Sequence, residues 1–241
     1  VAAGAGAAAT VYRIEHEQGS TTIRHVRKDV EVDVTWCVDD EHPVKQIHVH
    51  LVNRSARPQS LRVVALVEWM MGTTRSDRQS LGTDCDQRGA AHQSIDPPVL
   101  IATQRDGQAG FGGATAFLAL HRAGDDDVDS TEWTCDRREF FDARGRSVLP
   151  DRLGERAGAG LDPCAALSTV LNIARGDSTG CTFLLGHAQS IEAAYSLARK
   201  ALAIEPMTRQ RKVRAHWDAL LGAVSAVSYT HLRAHETKAN L

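Results

Sequence analysis

The first three-quarters of the chain alternates apolar and polar residues with period two. T-V-Y-R-I-E-H-E alternates from Thr10, and Gln18-Gly19-Ser20 supplies a turn. T-T-I-R-H-V-R-K and V-E-V-D-V-T-W-C-V-D follow. Val30, Val32, Val34 and Trp36 fall on one side, and Glu31, Asp33 and Thr35 on the other, which marks a half-buried strand. Val44–Asn53 repeats the pattern with Ile47, Val49 and Leu51 inward, and N-R-S-A-R-P-Q turns at Asn53–Gln59. Leu61–Met71 is apolar enough to predict a strand covered on both faces. Val99–Thr103 and Ala114–His121 add two strands. Ala165–Ala174 and Thr179–Leu185 are predicted as a hairpin joined by R-G-D-S. Successive antiparallel strands with short turns predict a mainly β fold, an antiparallel β-sandwich.

The pattern breaks twice. Gly72–Ile95 fits no period and reads as a long surface excursion with room for a helical turn, closed by Pro97-Pro98. From Ser190 the apolar residues recur at three and four: Ile191, Ala194, Tyr195, Ala198 and Leu202 form one stripe, with Ser190 as N-cap. Pro206 opens a second helix through Gly222, with Val213, Trp217, Leu220 and Leu221 on its stripe. These helices read as a two-helix linker or cap and not as a second core. The predicted division is a partial β-sandwich over 1–188, a helical linker over 189–227 and a non-native tail over 228–241. In that tail S-Y-T-H-L-R-A-H-E-T looks like a translated sequencing adapter and is set aside. Its His231 and His235 stand at i, i+4 but lack the third ligand and the Glu of a zinc hydrolase.

Composition bounds the function. With 241 residues, 42% of them hydrophobic, the chain can bury a sizeable core. Lys+Arg is 28 against Asp+Glu 30, a net charge of −2, so no basic excess is available for a phosphate backbone and no nucleic-acid partner is predicted. No apolar run approaches the ~18 residues of a spanning helix, so no direct membrane insertion is predicted. The opening V-A-A-G-A-G-A-A-A-T has neither an initiator Met nor a signal-peptide pattern, and reads as a start inside a longer protein. Cys37, Cys85, Cys135, Cys164 and Cys181 show no C-x-x-C spacing and are predicted to be free thiols. No cofactor or metal is predicted. F-G-G at Phe111–Gly113 lacks the Lys-Ser/Thr of a phosphate loop, and Gly124–Asp129 lacks the ligand spacing of a calcium loop. His48 and His50 share a strand face, as a metal pair or a polar surface. Trp69 and Trp133 could stack on sugar rings or fill the core.

The stretch from Thr134 to Gly186 carries the candidate chemistry. T-C-D-R-R-E-F-F, then G-A-G-L-D-P-C-A-A-L, then C-T-F-L-L-G place two turn-rich loops between strands, where binding groups usually sit. Asp136, Glu139 and Asp162 are candidate carboxylates, although glycosidic chemistry needs a pair about 5–10 Å apart and sequence sets no such distance. Arg137 and Arg138, if on a strand, point to opposite faces. Flanked by Asp136 and Glu139, either could present a fork to carboxylate, phosphate or sugar hydroxyls, or form a surface ion pair. No Ser has the G-x-S-x-G setting of a nucleophile elbow.

These motifs resemble the β-sandwich domain of family 94 glycoside hydrolases, which includes cellobiose phosphorylases and the C-terminal part of cyclic β-1,2-glucan synthases. D-R-R-E-F followed by G-L-D-P-C-A-A-L is more similar to the second group. N-R-S-A-R-P-Q-S-L-R-V-V-A-L-V-E-W and A-T-A-F-L-A-L extend the resemblance, which covers Val11–Val224. It implies a supersandwich, truncated at its first strands, followed by a linker and then an (α/α)6 barrel carrying the catalytic acid and phosphate site. H-W-D-A-L-L-G-A-V looks like the end of that linker, so the barrel is expected elsewhere in the parent chain and no residue here is expected to be catalytic. The resemblance implies an accessory carbohydrate-binding module of a β-1,2-glucan phosphorylase or synthase. The reaction would be inverting phosphorolysis. Asp136, Arg137, Arg138 and Asp162 would contact a β-glucan or gluco-oligosaccharide. A structural or homodimer-forming scaffold is the other reading. Cytoplasmic placement, in a parent associated with the inner membrane, is implied in the same way. Asp142 stands where the family usually has Gly, so the turn at Phe141–Gly145 is expected to differ. A sandwich without its first strands is also expected to be poorly soluble.

Overall fold

A computed structural model describes residues 11–88, 94–108, 111–122 and 131–222. Among these residues the strands are β1 (Arg13–Glu17), β2 (Ser20–Arg27), β3 (Val30–Val38), β4 (Val44–Asn53), β5 (Gln59–Glu68), β6 (Leu81–Arg88), β7 (Ser94–Gln104), β8 (Thr115–Arg122), β9 (Glu132–Asp136), β10 (Pro163–Ile173) and β11 (Ser178–Ala188). Helices α1 (Ile191–Leu202) and α2 (Pro206–Gly222) follow. An eight-stranded sheet has the order β1-β2-β3-β4-β11-β8-β7-β6, and a three-stranded sheet the order β5-β10-β9. Every pairing is antiparallel.

Local chemistry builds the first four strands. Gly19 takes φ +76 in the two-residue turn between β1 and β2. Lys28 and Asp29 both take positive φ, 50 and 65, as a twist-matched two-residue hairpin turn requires. The chain then leaves this sheet at Asn53. That buried side chain donates to Arg57 O at 2.8 Å, Ile173 O at 3.1 Å and Ala174 O at 3.1 Å. One amide thus pins two of the places where the chain crosses between sheets, β4 to β5 and β10 to β11.

Three predicted features differ. Ala165–Ala174 and Thr179–Leu185 do not form a hairpin: β10 pairs with β5 and β9, and β11 with β4 and β8. Both strands are largely buried, so periodicity carried no information on which neighbour each would take. The excursion at Gly72–Ile95 holds the helical turn it left room for, a 3-10 turn at Arg75–Ser80, but also strand β6 and the start of β7. Leu81 and Thr83 of β6 are buried, and Cys85 packs on the core. With Leu81 the one large apolar residue inward, and Asp84 exposed, the alternation was too weak to mark this edge strand. The run Leu61–Met71 is not covered on both faces. Strand β5 is an edge: Leu61, Val63, Ala65 and Val67 pack on the core, while Leu66 is 41% exposed.

The main core lies between the sheets, with Leu100, Leu118, Leu120, Phe183 and Leu167 fully buried. A second apolar cluster lies on the outer face of the large sheet. There Ala194, Ala198 and Ala201 of α1 pack on Val44, Val99, Phe117 and Leu184. Helix α1 therefore seals the sheet as a cap, one of the two readings expected of it, and adds an apolar cluster of its own. Its alanines let the helix lie close, and removing these apolar surfaces from water gives ~25 cal/mol per Å². Ser190 caps α1, its hydroxyl accepting from Ala193 N at 3.2 Å. The predicted stripe of α2 is only partly buried. Val213 is 1% exposed, but Trp217, Leu220 and Leu221 are 39%, 54% and 45% exposed, and Arg209 is buried in their place.

Candidate functional site

Strand β9 ends at Asp136, which begins a 3-10 turn over Arg137–Phe140. The Asp136 carboxylate accepts from Arg138 N at 3.2 Å, satisfying an orphan donor of the turn. Because the chain turns here, Arg137 and Arg138 are not adjacent strand residues on opposite faces, as alternation predicted. Arg138 folds back in a fork on Asp136, Nε to Oδ1 at 2.8 Å and Nη2 to Oδ2 at 2.7 Å. Arg137 reaches the second loop, Nε to Asp162 Oδ2 at 2.8 Å, and its backbone N donates to Asp162 O at 2.9 Å. Asp136, Arg137, Arg138 and Asp162 thus come together at one rim, from segments on either side of a 25-residue separation.

Residues that the sequence did not single out complete the arrangement. Arg78, from the 3-10 turn before β6, donates to Asp162 Oδ1 at 2.7 Å, so each oxygen of Asp162 holds one guanidinium. Glu68, at the end of β5, lies 3.3 Å from Arg137 and 3.8 Å from Arg78. Arg156 lies 3.5 Å from both Asp136 and Glu139. Glu139 also accepts from Thr134 Oγ1 at 2.8 Å and Gly154 N at 2.9 Å. Four arginines meet four carboxylates, so the lattice is close to neutral. Such a surface suits hydrogen bonding to uncharged hydroxyls better than capture of an anion.

Burial separates the roles. Asp136 is 0% exposed, so its part is to hold Arg138 and Arg156 in place. Burial pushes its carboxyl up, but hydrogen bonds from the Arg138 side chain and backbone outweigh this and hold it below the usual Asp range. The side chains of Arg138 and Arg156 are 60% and 58% exposed. The Arg137 guanidinium lies 5.0 Å from the ring centre of Phe141, which is 37% exposed. Asp142 organises the next turn: it accepts from Arg144 N and Arg146 N, each at 2.9 Å, while Gly145 takes φ +72.

The other candidates resolve differently. Trp69 and Trp133 are 5% and 7% exposed and pack in the main core, the second of the two readings expected for them. His48 and His50 stack at 6.5 Å between ring centres, and His48 Nδ1 pairs with Thr182 Oγ1 at 2.8 Å. Among the described residues no group of three or more His, Cys, Asp or Glu is placed to hold a metal ion. The five cysteines are free, and burial pushes Cys135 and Cys181 up to about 12. Gly124–Asp129 and the pair His231 and His235 lie outside the described residues. Beside Glu68, a cavity of 530 Å³ opens at the rim between the sheets, walled by Trp69, Met70, Met71, Phe111 and Leu185. Its size is that of a small-ligand pocket, ~300–1,000 Å³.

Two unequal antiparallel sheets, an outer sealing helix and an ion-paired rim define a β-supersandwich domain. The chain belongs to the glycosyl hydrolase 94 supersandwich family, which matches residues 2–203. It is 23% identical over 223 residues to the cyclic beta-(1,2)-glucan synthase NdvB of Rhizobium meliloti (strain 1021), covering 89% of this chain and 7% of that protein. The chain therefore spans a small part of that relative's length. A bacterial glucoamylase solved with acarbose superposes with a TM-score of 0.55 at 8% identity, over 94% of this chain and 30% of that one, a likeness of fold alone. Among the described residues no helix is long and apolar enough to cross a membrane.

Proposed function

We propose that this domain is the carbohydrate-facing accessory module of a β-1,2-glucan phosphorylase or cyclic β-1,2-glucan synthase. The rim lattice around Asp162 is its contact surface. One observation carries the reading: the Arg137 guanidinium, locked by Asp162 and Glu68, lies over half-exposed Phe141 beside the exposed forks of Arg138 and Arg156. A glucan offers an apolar C–H face to an aromatic ring and paired hydroxyls to a guanidinium fork. Donors already held by carboxylates bind with little ordering cost. The likeness to a protein described as a cyclic beta-(1,2)-glucan synthase supports the substrate class. Bond breaking is assigned to an (α/α)6 barrel elsewhere in the parent chain, and the piece alone is expected to be inactive.

Calorimetric titration with β-1,2-gluco-oligosaccharides tests this. Millimolar binding that Arg138→Ala and Phe141→Ala each weaken at least fivefold, with unchanged melting, supports the proposal. Absence of heat at millimolar sugar would favour a scaffold instead. That second reading draws on Arg209, whose buried contacts fix helix α2 as it leaves the sandwich.

A further inference from the structure

The loop 141–162 joins the 3-10 turn after β9 to strand β10. Apart from one isolated bridge, Phe141 with Ser147, it holds no strand or helix. A connection longer than ~15 residues without secondary structure is uncommon in a compact domain and usually carries function. Both limbs of this loop reach the rim. Phe141 begins the first limb, with the Arg137 guanidinium over its ring. Arg156 stands on the second, beside Asp136 and Glu139. That second limb lies along β9: Glu155 N donates to Trp133 O at 2.9 Å, and Cys135 N to Arg156 O at 2.7 Å. Gly154 N donates to Glu139 Oε2 at 2.9 Å, and Leu153 packs on Phe140 and Ala166.

Between the limbs the loop is held by Arg62 of β5. Leu61 and Val63 pack on the core, so alternation turns Arg62 to the outer face of the small sheet. Its side chain crosses that face over β10 to β9. Nε donates to Ser168 Oγ at 2.7 Å and Nη2 to Glu132 Oε2 at 2.8 Å. Nη1 donates to Pro150 O and, at 3.0 Å, to Asp151 O. The same Glu132 oxygen accepts from Leu153 N at 3.3 Å. Arg62 thus has all three nitrogens engaged. It also stands ~20 Å along β5 from Glu68 at the usual rise of a strand, well away from the rim.

We propose that Arg62 is a positioning residue of the carbohydrate-contact rim: by clamping the loop at Pro150 and Asp151 it fixes Phe141 and Arg156 relative to one another before a glucan arrives. This rests on the carbohydrate reading of the rim. Arg62 acts through the loop and touches no sugar itself. Without the clamp the two limbs lose their common anchor, and each must be ordered on binding, which lowers affinity. Lysine is no substitute. A single ammonium holds the Glu132 carboxylate but cannot also reach a hydroxyl and two carbonyls on separate segments. A strut that served stability alone would shift melting and leave sugar affinity untouched.

Calorimetric titration of the full 241-residue chain with linear β-1,2-gluco-oligosaccharides tests it. Arg62→Lys keeps the ion pair with Glu132 and should weaken binding about fivefold while melting close to the parent chain. Glu132→Gln, a milder change on the other side of the clamp, should weaken binding about twofold. Combined with Phe141→Ala, Arg62→Lys should cost less than the product of the two single effects, because one residue it positions is already gone. A parent chain that binds sugar while both Arg62→Lys and Glu132→Gln bind it equally well overturns the clamp and leaves the carbohydrate reading standing. Strictly multiplicative losses with Phe141→Ala do the same. A parent chain that gives no heat at millimolar sugar overturns the carbohydrate reading, and the clamp with it.

Discussion

Arg209 Nε lies 2.9 Å from Asp39 Oδ2, joining helix α2 to the turn after β3 across 170 positions of sequence. The two side chains are 1% and 8% exposed. The same guanidinium donates to Gln46 Oε1 and to Ala201 O, each at 2.7 Å, and Gln46 Nε2 donates to Pro206 O at 3.1 Å. One buried arginine thus ties the end of α1, the start of α2 and the sheet together. Arg209→Ala leaves a buried carboxylate without its guanidinium and should cost ~3–5 kcal/mol in urea unfolding. Arg209→Lys should recover only part, since one ammonium cannot reproduce a fork with three acceptors.

Acid should unfold the domain in two stages. Burial holds His48 and His121 below their ordinary value of 6.5, as burial and Arg27 do for His25. The unfolded chain then binds more protons, so the stability these histidines contribute is full above pH 6.5 and is lost as pH falls toward their lowered values. Asp39 and Asp136 form the second stage. Burial raises both, but hydrogen bonds from Glu41 N and Arg209 at Asp39, and from Arg138 at Asp136, win and hold them below 3.8. Their contribution is present above pH 3.8 and disappears as pH falls through the folded values. Denaturant midpoints measured across pH should show both declines. The double variant with Gln at His48 and His121 should lose most of the first. A flat midpoint between pH 7 and pH 5 would contradict this assignment.

The rim lattice should separate stability from binding. Asp136 is buried beneath two arginines, so Asp136→Ala should cost ~2–4 kcal/mol through the lost cap and the stranded guanidinium contacts. Arg138 is 60% exposed, so Arg138→Ala should cost under ~1 kcal/mol. Thermal melting of the two variants side by side checks the order. Equal losses would mean that the lattice is a surface feature without a buried keystone.

Gly186 of β11 stands directly opposite Phe117 of β8 within the large sheet, at a close approach. A Cβ there would stand 2.6 Å from the Phe117 ring and 2.9 Å from Pro43 O. Phe117 is fully buried under helix α1 and cannot move freely. Gly186→Ala should therefore cost ~1–3 kcal/mol by overpacking. Pairing it with Phe117→Leu should return part of that loss, as measured by chemical denaturation.

Most strands were legible because a half-buried strand must alternate, and Val30–Val38 and Val44–Asn53 do so plainly. The N-cap at Ser190 was legible because its cause is local. Strand β6 was not, because Leu81 alone among its inward residues is strongly apolar, and Thr83 and Cys85 add little to the pattern. The candidate loops at Asp136 and Asp162 were picked out by motif. Their third and fourth partners, Arg78 and Arg156, carried no signal in sequence, since a surface arginine reads alike whether or not a carboxylate waits across the fold.

The amino-acid sequence by itself determined that the chain is a β-sandwich of this family, with a capped helix after its last strand. Those properties follow from periodicity, caps and motifs within a few residues of one another. Only the tertiary structure decided that β10 and β11 part into different sheets, that α1 builds a second core, and that Arg209 is buried against Asp39. Each of these depends on which distant segment arrives alongside, and a buried strand or a lone charge is compatible with many neighbours until packing selects one.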